Sequence, residues 1–186
     1  MESKRVLSTR EIVITALMIA LVFLAGSVIK IPTIGGFVHI GDCMVFLSVI
    51  ILGKKRGALA SAVGMFLVDA LGGYYIWAPF TFVIKFIMAY IAGYIIEKID
   101  KDNKVVTSFN IKYIFAFIAG GIFMIAGYFL AGGIIAAFFT GHVGLIQGLV
   151  VASKDIIGNI IQVTTGIVLA IPLSAMIINA SKKVVS

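Results

Sequence analysis

The chain has 186 residues, of which 61% are hydrophobic and 12% charged, and its mean hydropathy is +1.17. An ordinary soluble domain carries about 25% charged residues, so a water-soluble fold of this length is excluded because it could not hide so much apolar surface. The net charge of +7 does not indicate nucleic acid, since no basic patch is interleaved with aromatic residues.

Lys4, Arg5 and Arg10 precede the first apolar run, which predicts a helix over about 10–29. Ile12 to Ile29 is eighteen residues, longer than the roughly 7–15 of a signal-peptide core, so it is expected to be retained. A loop, 30–41, follows with Pro32, Gly35, Gly36 and His39. Helix two, 42–53, is short. Twelve residues rise about 18 Å, against a hydrocarbon core of about 30 Å. It must be extended by the loop or shielded by protein, because bare backbone cannot face lipid. Lys54, Lys55 and Arg56 then separate it from helix three, 57–71.

The turn 72–78 leads to helix four, 79–96, where Pro79 suits a first helical turn. Lys98, Lys101, Lys104 and Lys112 surround the polar loop from Glu97 to Asn110. Helix five, 111–133, stays apolar as far as Phe139, and a break is expected at Gly132-Gly133. Helix six covers 153–178, and Lys182 and Lys183 close the chain. Twelve of the fifteen Lys and Arg thus fall in gaps on one side of a membrane. Cytoplasmic loops concentrate Lys and Arg in this way. The reading is a single all-α domain: a membrane bundle of six transmembrane helices with both termini cytoplasmic. Basic residues would also meet anionic head groups of the lipid bilayer. Cys43 is alone, which excludes an internal disulfide or a multi-cysteine metal site, and its thiol is expected to be buried and inert.

Polar side chains at membrane depth carry the functional signal, since each is costly and normally faces the bundle interior or a watery cavity. Asp155, Asn159, Gln162 and Gly166 follow one another at i, i+4, i+7 and i+11, one face of helix six. This stripe reads as the wall of a cavity open to the outside, with helix–helix hydrogen bonding as the alternative. Lys85 sits about 9 Å into helix four at a depth comparable to Asp69. It either pairs with Asp69 or points into the cavity and holds ligand. Lys154 should snorkel to the outer interface. Phe37, Tyr74, Tyr75, Trp77, Phe80 and Phe82 cluster near the outer face. An interfacial belt explains most of them, while Trp77 and Tyr74 beside a glycine pair also suit stacking on an aromatic heterocycle. His39 and His142 lie in outer loops. Asp42, after Gly41, is expected to cap helix two. Ala16 and Ala20, four apart on helix one, make a groove for another helix. No HExxH, GxSxG or phosphate-binding loop occurs, so an enzyme is not expected, and any energy for transport must come from a partner or an ion gradient.

These features resemble the substrate-binding S component of an energy-coupling factor transporter, a prokaryotic vitamin importer. The resemblance rests on the six-helix plan, on Ala16 and Ala20, on Gly35-Gly36-Phe37-Val38-His39-Ile40-Gly41-Asp42, and on Gly72 to Thr81 with Lys85. It is strongest to the subgroup assigned to pyridoxine or hydroxymethylpyrimidine, which is related to the riboflavin-binding members. The resemblance implies a vitamin pocket under the first outer loop, lined from Phe37, His39, Tyr74, Trp77, Lys85, Asp155, Asn159 and Gln162. It implies docking of a transmembrane coupling subunit on Ala16 and Ala20, and two cytoplasmic ATPases. No cofactor, metal or nucleic acid is implied. The competing reading is a stand-alone secondary transporter or small channel for a polar solute, which would need an ionisable relay across the membrane.

Overall fold

The computed structural model describes residues 8–28, 30–32, 37–100, 110–140 and 144–185, without the side chains of 181–185. Gly35, Gly36, His142, Lys101, Lys104, Lys4 and Arg5, and the side chains of Lys182 and Lys183, lie outside these residues. The element order is α1 (Thr9–Val28), β1 (Lys30–Pro32), β2 (Phe37–His39), α2 (Asp42–Leu71), α3 (Trp77–Ile99), α4 (Tyr113–Ile134), α5 (Leu145–Ala152) and α6 (Ile156–Val185). The chain is overwhelmingly helical. One departure from an all-α chain is a small antiparallel hairpin, in which Lys30 faces His39 and Pro32 faces Phe37.

Ser8 and Glu11 start α1 with a reciprocal capping box. The Glu11 N–H donates to Ser8 Oγ at 3.3 Å, and the Ser8 N–H donates to Glu11 Oε2 at 3.0 Å, so two otherwise orphaned donors are satisfied. α2 turns back on itself at Gly53, whose φ of +75° and ψ of 174° favour glycine. Its two arms, 42–52 and 54–71, lie side by side. Ser48 Oγ is 2.7 Å from Ser61 Oγ and donates to the Gly57 carbonyl at 3.0 Å. A Cβ at Gly57 would come within 2.6 Å of Val49 Cα, so only a bare backbone permits this approach. The second arm begins at Lys54 rather than at 57. Lys54 then pairs with Glu97 at 2.6 Å, and Arg56 with Glu11 at 3.1 Å.

The first arm is short because protein surrounds it. From Asp42 to Leu52 nearly every residue is buried, so its ends never have to reach lipid head groups. Around α2 as a whole pack α1, α3 and α6. Gly64 admits Val22, Gly26 admits Val68, and the Phe46 and Phe117 rings stand 4.5 Å apart in the middle. Large apolar side chains such as Leu17, Leu21, Phe115, Ile122, Ile157 and Val168 point outward. Four helical stretches are long and apolar enough to cross a membrane: Thr9–Val28, Trp77–Ile99, Tyr113–Thr140 and Leu145–Ala180.

Three local expectations change. α4 does not break at Gly132-Gly133 but runs to Ile134 and continues as π-helical turns over Ile135–Thr140. Those glycines are packing positions: Trp77 rests against Gly132, and Leu149 against Gly133. A separate short helix, α5, precedes α6 where no element was expected. α3 starts two residues early, at Trp77, and Pro79 still falls in the first turn, where no N–H is required.

Candidate functional site

A cavity opens at the hairpin end of the bundle, opposite the Lys54-Lys55-Arg56 turn. It encloses about 60 Å³, taken as the volume open to the centre of a water molecule. Its wall comes from the hairpin (Phe37, His39), the end of α2 and the turn after it (Asp69, Tyr74), α3 (Trp77, Thr81), α4 (Tyr128, Gly132) and the start of α6. Asp155, Asn159 and Gln162 all line it, with Asp155 on a 3-10 turn just ahead of α6. The opposite face of α6, with Ile157, Ile160 and Ile161, is exposed. The polar stripe therefore faces a hollow rather than lipid. Gly166, one turn further along, presses on Asp42 instead, since a Cβ there would lie 2.7 Å from Asp42 Cβ.

The aromatic residues form the sides. Phe37 and Tyr74 have centroids 4.7 Å apart, and Trp77 and Tyr128 6.1 Å apart, both tilted. Tyr128 donates to Thr81 Oγ1 at 3.2 Å. Lys30 covers the Phe37 ring from behind, with Nζ 4.3 Å from the centroid.

Lys85 is not part of this wall. It is fully buried and paired with Asp42, not with Asp69, and its Nζ lies 3.0 Å from Met124 Sδ. Asp69 acts on Lys85 only from a distance, whereas Asp42, at the start of α2, lies within bonding reach of Nζ. Asp42 accordingly does not cap α2: it makes no side-chain cap bond and spends its other oxygen, Oδ2, accepting from Gln162 Nε2 at 3.1 Å.

Gln162 uses both ends of its amide. While Nε2 bonds Asp42, Oε1 accepts the His39 N–H at 3.2 Å. The residue is 4% exposed, and it ties α6 to the hairpin through His39 and to α2 through Asp42. His39 in turn accepts the Gly41 N–H on Nδ1 at 3.1 Å, which places the ring proton on Nε2. Burial pushes the His39 pKa from 6.5 down to about 4, with Asp42 opposing and Lys85 and Lys30 assisting. A group held neutral in this way adds stability that is complete above pH 6.5 and is lost as pH falls from there to about 4, because the unfolded chain takes the proton first. His39→Asn keeps an acceptor for Gly41 and removes the titration. Melting curves taken across that range should show the wild type weakening more steeply than the variant. Parallel curves would contradict the assignment.

Sequence reasoning missed Tyr128 and Thr81 as wall residues and the pairing role of Asp42. Tyr128 was hidden in a long apolar run. Its spacing of four from Met124 and from Gly132 was the available signal, because those positions share one helical face.

A family model described as ECF-type riboflavin transporter, S component, matches residues 6–179. The chain belongs to this family. It is therefore a membrane transport protein, the substrate-binding subunit of a vitamin uptake system, and not an enzyme. Among its relatives, the thiamine precursor transporter HmpT of Lactococcus lactis subsp. cremoris (strain MG1363) is 27% identical over 171 residues, 90% of this chain and 87% of the relative. An uncharacterised protein of Pyrococcus woesei, from a gap 3′ region, is 31% identical over 130 residues, 66% of this chain and 82% of the relative. The likeness to HmpT supports placing this S component with the hydroxymethylpyrimidine subgroup.

Proposed function

We propose that this S component captures a small monocyclic vitamin precursor of the hydroxymethylpyrimidine type from outside a prokaryotic cell. The observation that carries the reading is the size and lining of the cavity. A water needs only about 10–15 Å³ of such volume, so a hollow with about 60 Å³ open to water centres holds several waters. That suits one substituted ring. A tricyclic isoalloxazine with its sugar alcohol would need the walls to part. Trp77, Tyr74 and Phe37 supply flat apolar walls, and Asn159, Asp155 and the His39 Nε2–H supply polar contacts at the edges. Lys85 and Gln162 hold the site together from behind.

In this reading both arms of α2 count as crossings, giving six with both termini cytoplasmic, and the hairpin end faces outward. The basic turn at Lys54 then lies inside, as the charge rule requires. A transmembrane coupling subunit with two cytoplasmic ATPases would release the cargo inward. Ala16 and Ala20 are exposed on α1 and offer a shallow strip against which a partner helix can pack closely. The variant Ala16→Trp/Ala20→Trp should bind ligand normally and fail to co-purify with the coupling subunit. Retained assembly and transport would place docking elsewhere.

Mass spectrometry of the small molecule that co-purifies with the full chain tests the ligand. A substituted pyrimidine or pyridine supports the reading and a flavin overturns it. Ion-driven uptake by this chain alone in liposomes would favour a stand-alone transporter instead.

A further inference from the structure

Asp69 is the residue left over by this arrangement. It lines the cavity and is 7% exposed. The cation that its helical depth suggested, Lys85, is taken by Asp42. The Thr81 hydroxyl donates to the Asp69 carboxylate, but among the described residues no ion-pair partner reaches it. A buried carboxylate held by a single hydroxyl, with Lys85 and Lys30 acting on it only from a distance, keeps room for a further donor, which the molecule filling the hollow supplies if it brings an N–H. The rest of the wall agrees in sign. Asp155 is a second carboxylate, and among the described residues no Lys or Arg lines the cavity. His39 is held uncharged by burial and by its bond from Gly41.

We infer that Asp69 is the specificity determinant of this site, accepting an N–H from the exocyclic amino group of a flat, unphosphorylated heterocycle. The inference rests on the cavity being the vitamin site and names which edge of the ligand is read there. An amino group donates to the carboxylate, as a hydrogen bond to a charged acceptor that is stronger than a neutral one. A ring carbonyl in the same place would set its lone pairs against the carboxylate, and the lactam N–H of that compound lies one ring position away. A phosphate ester would bring further negative charge beside the Asp69 carboxylate, and among the described residues no Lys or Arg lines the hollow to receive it. Trp77, Tyr74 and Phe37 fix the ring plane, so the amino group has one edge to face. Selection against the oxo compound is therefore a matter of one position, not of overall fit.

The test uses the full chain in detergent at neutral pH, followed by titration calorimetry. Three probes are compared: 4-amino-5-hydroxymethyl-2-methylpyrimidine, its 4-oxo counterpart, and the phosphate ester of the amino compound. The wild type should prefer the amino over the oxo compound by about 100-fold and give no measurable heat with the ester. Asp69→Asn carries an amide that can present either a donor or an acceptor, so the preference should shrink to within about tenfold. Binding of the oxo compound by that variant shows it to be folded, and if it does not fold the wild-type ratio decides. Equal affinity for the amino and oxo compounds in the wild type, an unchanged ratio in Asp69→Asn, or tight binding of the ester overturns the assignment of Asp69 while leaving the vitamin site standing. Failure of all three probes to bind overturns both.

Discussion

Replacing Lys85 with Met should destabilise this protein by about 3–5 kcal/mol. Both Lys85 and Asp42 are completely buried, and removing the cation leaves the Asp42 carboxylate in the middle of the bundle with only Gln162 donating to it. The same logic makes the pair replaceable. The double variant Asp42→Asn/Lys85→Met removes both charges, and the Asn side-chain oxygen can still accept from Gln162. Met at 85 would pack beside Met88 and Met124, whose sulfurs already face Nζ. The double variant should therefore recover most of the lost stability, as expected when a buried ion pair is exchanged for neutral groups of similar volume. Thermal melts of the wild type, both single variants and the double variant in one detergent check this. If Lys85→Met melts like the wild type, the pair does not hold the bundle. If the double variant is as weak as the single ones, the ionic character itself is needed.

The second large effect is expected at Gln162. Its side chain joins the hairpin to α6 by accepting from His39 N and donating to Asp42 Oδ2. Gln162→Leu keeps the volume and strands both partners, each at a cost of about 1–3 kcal/mol where buried. The hairpin covers the cavity through Phe37 and His39, so loosening it should let ligand escape. Affinity should fall at least tenfold, mainly through faster dissociation, while association changes little. Trp77 is the sole tryptophan and lies in the wall, so its fluorescence reports both rates. Unchanged dissociation in Gln162→Leu would show that the hairpin is held by other contacts.

Both effects concern residues whose importance the sequence revealed but whose partners it did not. Membrane character was legible from the alternation of apolar runs with Lys- and Arg-bearing gaps. The α6 stripe was legible because helical spacing puts Asp155, Asn159 and Gln162 on one face whatever the rest of the fold does. Pairing was not legible in the same way. Asp42 and Lys85 are 43 positions apart, and their meeting depends on how deep the hairpin carries the start of α2. Asp69 had an equal claim by helical depth alone. The far end of α4 was obscure for another reason. Gly132 and Gly133 look like a break in a soluble context, but inside a bundle they are where Trp77 and Leu149 come close. α5 is eight residues long with no charge of its own to mark it off from its neighbours.

The polar edge of α6 also unites two kinds of residue that sequence could not separate. Gln162 has its amide engaged by protein, whereas Asn159 lines the cavity with no bond to another side chain among the described residues. Gln162 thus serves to hold the hairpin and α2 in place, and the proposed contact with ligand falls to Asn159.

The central claim is that the hollow between the hairpin, α3, α4 and α6 receives a single-ring vitamin precursor. Isothermal titration of the purified chain with hydroxymethylpyrimidine and with riboflavin, in the wild type and in Asn159→Ala, tests it most directly. The account predicts one-to-one binding of the pyrimidine, weakened at least about tenfold in Asn159→Ala by loss of a buried bond, and markedly weaker binding of riboflavin. Tight riboflavin binding without the pyrimidine, or pyrimidine binding untouched by Asn159→Ala, would contradict it.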